Sequence, residues 1–198
     1  MLAVVFGSVS AQAQPNPSCD VHVYPAQGVH SVGEDFDAAH AIDQDLATYE
    51  RAAGRPLNWL TPERQLAILA ELDIGSLVGV TKPVTLHREP LTRLQAIKPG
   101  ARTAADGCVY EIMLPQIMLE RGGLSSRSLR LFGVVRSYQS GALVRGYTGF
   151  AGASLSGIRL KSPADTDAAT SMVEQAYRNA VKAFLHNSLG NSKTKNSA

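Results

Sequence analysis

Two cysteines, five histidines and a run of arginines in β-rich sequence are the residues of this chain best suited to chemistry. Cys19 opens the apparent strand Cys19 to Tyr24, which runs into Pro25, and Cys108 opens Cys108 to Leu114, which runs into Pro115. Two strands that begin alike and break alike can lie side by side with their sulfurs at one end of a sheet. In an exported chain an even cysteine count favours a disulfide, Cys19 to Cys108. Without export, two buried free thiols are the alternative. Neither cysteine has a second Cys or His at ligand spacing, so a shared metal is disfavoured.

The histidines and serines suggest less. His30 and His40 flank Glu34, Asp35 and Asp37, but at no zinc spacing, and acids at the start of a helix are accounted for by its dipole. His22 alternates inside the first strand, and His87 stands beside Arg88 and Glu89 in a loop. Gly152, Ser154, Ser156 and Gly157 approach a nucleophile elbow without matching Gly-x-Ser-x-Gly, and they follow a hairpin where a strand-to-helix turn is needed. No phosphate loop is present. The expectation is no catalytic residue, no cofactor and no metal.

Arg130, Arg136 and Arg145 form the candidate binding face. Alternation puts Arg130 and Arg136 with Phe132 and Val134, opposite Leu129, Leu131, Gly133 and Val135. In the next run Leu143, Arg145 and Tyr147 alternate against Ala142, Val144 and Thr148. One sheet face should therefore be basic and partly wet.

These residues need a scaffold. Ala26 to Asp35 reads as a loop and Phe36 to Ala53 as a helix ended by Gly54-Arg55-Pro56, with Trp59 anchoring the turn that follows. Thr61-Pro62-Glu63 starts a second helix, with Thr as cap and Pro at the first helical position. Gly75 reads as its stop, Leu77 to Val80 as a short strand, and Val84 to His87 as a strand in an otherwise irregular stretch to Gly107. Three β-rich runs follow, Val109 to Glu120, Ser128 to Tyr138 and Ala142 to Phe150, joined by Gly-containing turns into an antiparallel meander. Asp165 to His186 is the clearest helix, with Ala169, Met172, Val173, Ala176, Tyr177, Ala180, Val181 and Phe184 at helical spacing. The predicted fold is α+β: a mixed sheet ending in a three-stranded antiparallel meander, with helices packed on one face.

At 198 residues, 44% hydrophobic and 18% charged, the chain is one globular domain, which excludes collagen, coiled coil and wholesale disorder. Its net charge of +2 hides an asymmetry. Between residues 20 and 75 ten acids face only Arg51, Arg55 and Arg64, whereas residues 76 to 164 hold twelve Lys or Arg against four acids. The basic part suits an anionic partner, or packs beside the acidic helices so that the fields cancel. With 6% aromatics, no nucleic-acid partner is expected.

The N-terminus suggests an address. Leu2 to Val9 is a short apolar run, followed by Ala11-Gln12-Ala13 and a Pro-rich stretch, the pattern of a signal peptide cleaved after Ala13, although no Lys or Arg precedes the run. The run is too short to span a bilayer, so no transmembrane span is expected after cleavage. The expected organisation is residues 1–13 as signal peptide, 14–189 as one domain and 190–198 as a disordered tail. The residues before Cys19, Asn16-Pro17-Ser18, do not suit lipid attachment.

The order of elements resembles the small α+β domains of bacterial envelope proteins, such as the amino-terminal domain of TolB and curli-secretion lipoproteins. The resemblance rests on Cys19 to Pro25 as an opening strand, Leu66 to Val80 as helix, Gly and strand, the Leu131 to Phe150 hairpin and the Asp165 to His186 helix. It covers about half the chain, and the Phe36 to Leu60 insertion departs from it. It implies an accessory role in the envelope without a transferable active site. The reading is an exported accessory or assembly protein, periplasmic or secreted, that binds an envelope protein or an anionic surface. A small secreted hydrolase, and a carrier of an apolar ligand between the sheet and the last helix, are the alternatives.

Overall fold

The computed structural model describes residues 18–32, 60–104, 107–121, 127–155 and 163–190. In chain order the elements are β1 (Asp20–Tyr24), β2 (Val29–Val32), α1 (Pro62–Glu71), α2 (Ile74–Val78), β3 (Val84–Leu86), α3 (Arg93–Ile97), β4 (Cys108–Arg121), β5 (Arg127–Gln139), β6 (Ala142–Ser154) and α4 (Pro163–Gly190). The strands form one open mixed sheet in the order β3-β1-β4-β5-β6, with β2 also pairing β4. β1, β2 and β3 run parallel to their neighbours, and β4, β5 and β6 are antiparallel. The α+β class and the closing meander match the sequence expectation.

Ser140 and Gly141 link β5 to β6 with φ of 48° and 78°. Positive φ at both central residues is the backbone of a two-residue hairpin turn whose twist fits the strands. The whole middle strand alternates as expected. Leu129, Leu131 and Val135 are buried beneath α4 in the main core, with Val173, Ala176, Tyr177, Ala180, Val181, Phe184 and Leu185 of the helix. Gly133 belongs to that face because Phe184 lies directly over it: a Cβ there would overlap the ring. α1 and α2 add Ile68, Leu69, Ile74 and Val78 to the same core.

α1 forms as its signals predict. Thr61 accepts from Arg64 N at 3.3 Å and Pro62 stands in the first turn. Gln65 is wholly buried yet satisfied: its Oε1 accepts from Ala26 N at 2.8 Å, and its Nε2 donates to the carbonyls of Ala26 and Leu60. This side chain ties the helix to the end of β1.

Three local expectations are corrected. Leu77 to Val80 is not a strand. Asp73 caps a second short helix by accepting from Ser76 N at 3.1 Å, and Gly79, at φ 71°, ends it, so Gly75 sits inside α2 and not at a stop. The spacing of Ile74, Leu77 and Val78 suits a helical face as well as a strand, and the cap decides between them. Within the stretch read as a loop, residues 29–32 form β2, because β1 and β2 are successive parallel partners of one long strand, β4. The break between them faces the register shift between Met113 and Gln116, where Pro115 has no N–H to offer. The third is α3, in the stretch to Gly107: Thr92 accepts from Gln95 N while the Gln95 side chain returns to Thr92 N, a reciprocal cap that nucleates a five-residue helix. The helix expected over Phe36 to Ala53, Trp59 and the terminal segments lie outside the described residues.

α1, α2 and α4 cover one face of the sheet. The other face carries a smaller cluster in which Tyr24, Met113, Phe132 and Val134 pack with Ala96 of α3, bordered by Leu91 and Phe150.

Candidate functional site

The two cysteines are joined. In the β1–β4 register Asp20 pairs with Val109, so the residues just before them meet as the next pair, with Cα atoms 4.6 Å apart. Cys19 is fully buried. A closed loop of 89 residues restricts the unfolded chain by about 4–5 kcal/mol in the chain-entropy picture.

The arginines divide by face. Arg130 and Arg136 lie on the α3 side, alternating with the residues beneath α4. Arg145 pairs across to Ser137, which places it on the α4 side. Arg136 donates to the carbonyls of Ile97 at 2.9 Å, Lys98 at 2.8 Å and Gly100 at 3.3 Å, at the C-terminal end of α3. Arg145 donates to the carbonyls of Ser188 and Leu189 at the end of α4. Each cation thus meets unsatisfied carbonyls at the negative end of a helix dipole. Arg130 differs: it donates to Glu120 at 3.2 Å, its guanidinium lies 4.8 Å from the Phe150 ring centre, and its side chain is 41% exposed. Phe132 and Phe150 are 5.1 Å apart, and Arg93 lies over Phe132 at 4.2 Å. Leu94 and Ile97 of α3 are exposed beside this group at 48% and 38%. Arg130, the two Phe rings and the outer side of α3 therefore make an aromatic, basic and partly wet surface.

Toward β3 the same face becomes polar. His22 Nδ1 and His87 Nε2 are 2.9 Å apart with ring centres at 5.2 Å. The difference between those distances is taken up by the two ring radii, so the nitrogens meet head-on. That is the geometry of an N–H···N hydrogen bond, with one ring donating and the other accepting, and not of two lone pairs converging on a metal. His87 also stacks on Tyr24, with centres 4.1 Å apart and planes 8° from parallel. Burial, and secondarily the charge on His22, push the His87 pKa below its ordinary value against the opposing pull of Glu89.

Glu111, the β4 partner of His22, is fully buried. Its Oε1 accepts from the backbone N–H groups of Arg102 and Thr103, and Thr103 Oγ1 lies 2.9 Å from the Tyr24 hydroxyl. The carboxylate thereby organises the chain between α3 and β4. Sequence reasoning missed this cluster, although one acid inside the apolar run Val109 to Leu114 was a signal: a buried charge needs partners. That His22, His87 and Glu111 share a neighbourhood follows only from the order of parallel strands.

The remaining candidates resolve as follows. Among the described residues no three of His, Cys, Asp and Glu gather as a metal site. His40, Glu34, Asp35 and Asp37 lie outside the described residues, as do Ser156 and Gly157, while Gly152 and Ser154 belong to β6. Tyr177 and Phe184 fill the space between the sheet and α4. A groove of about 700 Å³ lies instead beside β3, lined by residues of α1, α2 and the Thr81 to Pro83 link. No helix among the described residues is long and apolar enough to cross a membrane.

No family model and no curated protein sequence matches the chain. Among solved structures it is similar to a Xanthomonas campestris protein of family DUF330, at 11% identity and a TM-score of 0.47, over 89% of this chain and 87% of that one. It is also similar to lipoprotein GNA1162 of Neisseria meningitidis, at 10% identity and a TM-score of 0.24, over 79% of this chain and 96% of that one.

Proposed function

We propose that the chain is exported and serves the bacterial envelope as an accessory or assembly protein that binds and does not catalyse. The observation that carries this reading is the Cys19–Cys108 bond, which fixes the first strand to the longest one. Such bonds persist in oxidising compartments and are rare in the cytosol of ordinary bacteria. The leader ending at Ala13 agrees with that address, leaving residues 14–189 as the working domain and 190–198 as a tail. A TolB- or curli-type accessory domain is the finer form of the proposal, and its support is the sequence resemblance in strand, hairpin and last helix.

The partner side is the α3 side of the sheet. Arg130 offers an exposed cation on an aromatic platform, and Leu94 and Ile97 offer apolar contact beside it. Aromatic, apolar and arginine side chains together are the usual makings of a protein-binding patch. An acidic surface of an envelope protein suits it, and an anionic surface of another kind is the alternative outcome.

The test is recovery of partners from envelope extracts by the mature chain. Arg130→Glu should lose the acidic partner, and Lys182→Glu, on exposed α4 surface, should retain it. Equal recovery by both variants overturns the assignment of this face.

A further inference from the structure

On the α3 side of the sheet one row of ionisable side chains lies in register. His22 of β1 pairs with Glu111 of β4, and Glu111 pairs with Arg136 of β5. Arg136 and Glu111 hold the two ends of one segment. Arg136 donates to the carbonyls of Ile97, Lys98 and Gly100, and Glu111 accepts from the amides of Arg102 and Thr103. The C-terminal end of α3 is thus pinned to the sheet by side chains of two neighbouring strands.

The front of α3 is held differently. His87 N donates to Val23 O at 2.9 Å and Leu91 N to Pro25 O at 3.2 Å, so the link from β3 to α3 is laid along the end of β1. The His87 ring is fixed between His22, 2.9 Å away, and the Tyr24 ring on which it stacks. Tyr24 is the joint: its ring packs with Ala96 of α3 and with Phe132, and its hydroxyl meets Thr103.

An N–H···N bond needs one ring nitrogen without a proton. The pair therefore tolerates one positive charge and not two, since two imidazoliums present N–H to N–H. We propose that the His22–His87 pair is an acid-sensitive latch on α3: once both rings are charged, His87 turns away from His22, comes off Tyr24, and frees α3 with its Leu94 and Ile97 from the sheet. The charges around the pair set where this happens. Glu89, on the link itself, favours the charged His87, while burial and the charge on His22 oppose it and prevail. Glu111 and Arg102 act on Tyr24 from β4 and the segment before it, Arg136 stands one strand beyond Glu111, and Asp20, two residues before His22, is engaged by Lys82 at 3.0 Å. Release accordingly falls below the ordinary histidine value near 6.5. Loss of a partner on acidification rests on this side of the sheet being the partner side; the latch itself does not.

The experiment is hydrogen exchange on the oxidised chain without any partner, at about pH 7.5 and about pH 5, with each rate referred to that of unstructured peptide. The reporters are the amides of Ala96 and Lys98, bonded to Thr92 O and Leu94 O. The control is the Leu77 amide of α2, bonded to Asp73 O on the opposite face, where Ser76 holds the Asp73 carboxyl below the usual carboxylate range. Opening of α3 should rise at least about threefold at the lower pH, with about tenfold per pH unit the limit for one proton, while that of α2 stays level. His87→Gln keeps a side-chain donor and cannot be charged, so its α3 should open equally at both pH values. An α3 whose opening changes no more than that of α2 overturns the proposal, whether or not the variant folds. So does an α3 response that survives in a folded His87→Gln variant. With no partner present, either failure leaves the assignment of the Arg130 surface standing, and equal partner recovery by Arg130→Glu leaves the latch standing.

Discussion

Gly133→Ala is the sharpest probe of the packing that holds α4 on the sheet. The added methyl carbon would stand 2.4 Å from Cζ of Phe184, far inside van der Waals contact with a fully buried side chain, so either the ring or the helix must move. Forcing one carbon into a filled core costs about 1–3 kcal/mol, and a clash with three carbons of one buried ring argues for the upper half of that range. In a chain of this size about 2 kcal/mol lowers the Tm by roughly 4–8 °C. Phe184→Leu alone leaves a small void, at a cost of about 1–2 kcal/mol by comparison with other large-to-small changes. Combined, the two changes should offset, because leucine vacates the space the methyl needs. The double variant should be more stable than Gly133→Ala, with a coupling of about 1–2 kcal/mol. Urea denaturation followed by far-UV circular dichroism gives all four corners of the cycle. A Gly133→Ala cost below about 0.5 kcal/mol, or strict additivity in the double variant, would refute the reasoning.

Other predictions concern single polar groups. Among the described residues the buried Tyr177 hydroxyl has no hydrogen-bond partner, so Tyr177→Phe should cost nothing or stabilise by about 1 kcal/mol in the same urea assay. A loss above 1 kcal/mol would show that the hydroxyl has a partner. Because the folded pKa of His87 is depressed, its contribution is fully present above the ordinary histidine value near 6.5 and is lost as pH falls through the lowered one. Stability should therefore decline on acidification in that window, and His87→Asn should flatten the curve. A wild type that gains stability as pH falls there contradicts the sign. Arg136→Met should lower the Tm by roughly 2–4 °C through loss of about 1 kcal/mol of charge-assisted capping at the end of α3, whereas Arg130→Met should leave it nearly unchanged. Equal shifts would contradict the division between structural and exposed arginines.

Local chemistry made much of the fold legible. Thr61-Pro62 marked α1, Ser140-Gly141 marked the hairpin, and the spacing from Val173 to Phe184 marked the face of α4. The strand alternation put Gly133 on the face opposite Arg130 and Arg136, and it is this face that α4 covers. What misled was brevity. Around Ile74 to Val78 one and a half turns of helix and a short strand bury the same residues, and only the Asp73 cap and the left-handed Gly79 separate them. Similarly, β2 exists because β4 continues past β1, a fact of strand order that no window of sequence contains.

The candidate site was legible in part. The cysteines could be paired because both open strands, and Arg130 and Arg136 could be placed on one face by alternation. Alternation within one strand says nothing about how the next strand is registered, so Arg145 joined them in sequence yet lies across the sheet. Nor could it reveal that Arg136 and Arg145 point at helix ends, since those helices arrive from elsewhere in the chain. The His22–His87 bond and the Glu111 cradle depend on three strands meeting, and so were invisible until the sheet was assembled.

Export and disulfide formation are joined in one measurement, the intact mass of the chain recovered from outside the cytoplasm and alkylated before and after reduction. The account predicts a chain that begins at Gln14, resists alkylation as isolated, and takes up two alkyl groups once reduced. A chain that still begins at Met1, or one whose Cys19 and Cys108 alkylate without reductant, would contradict it.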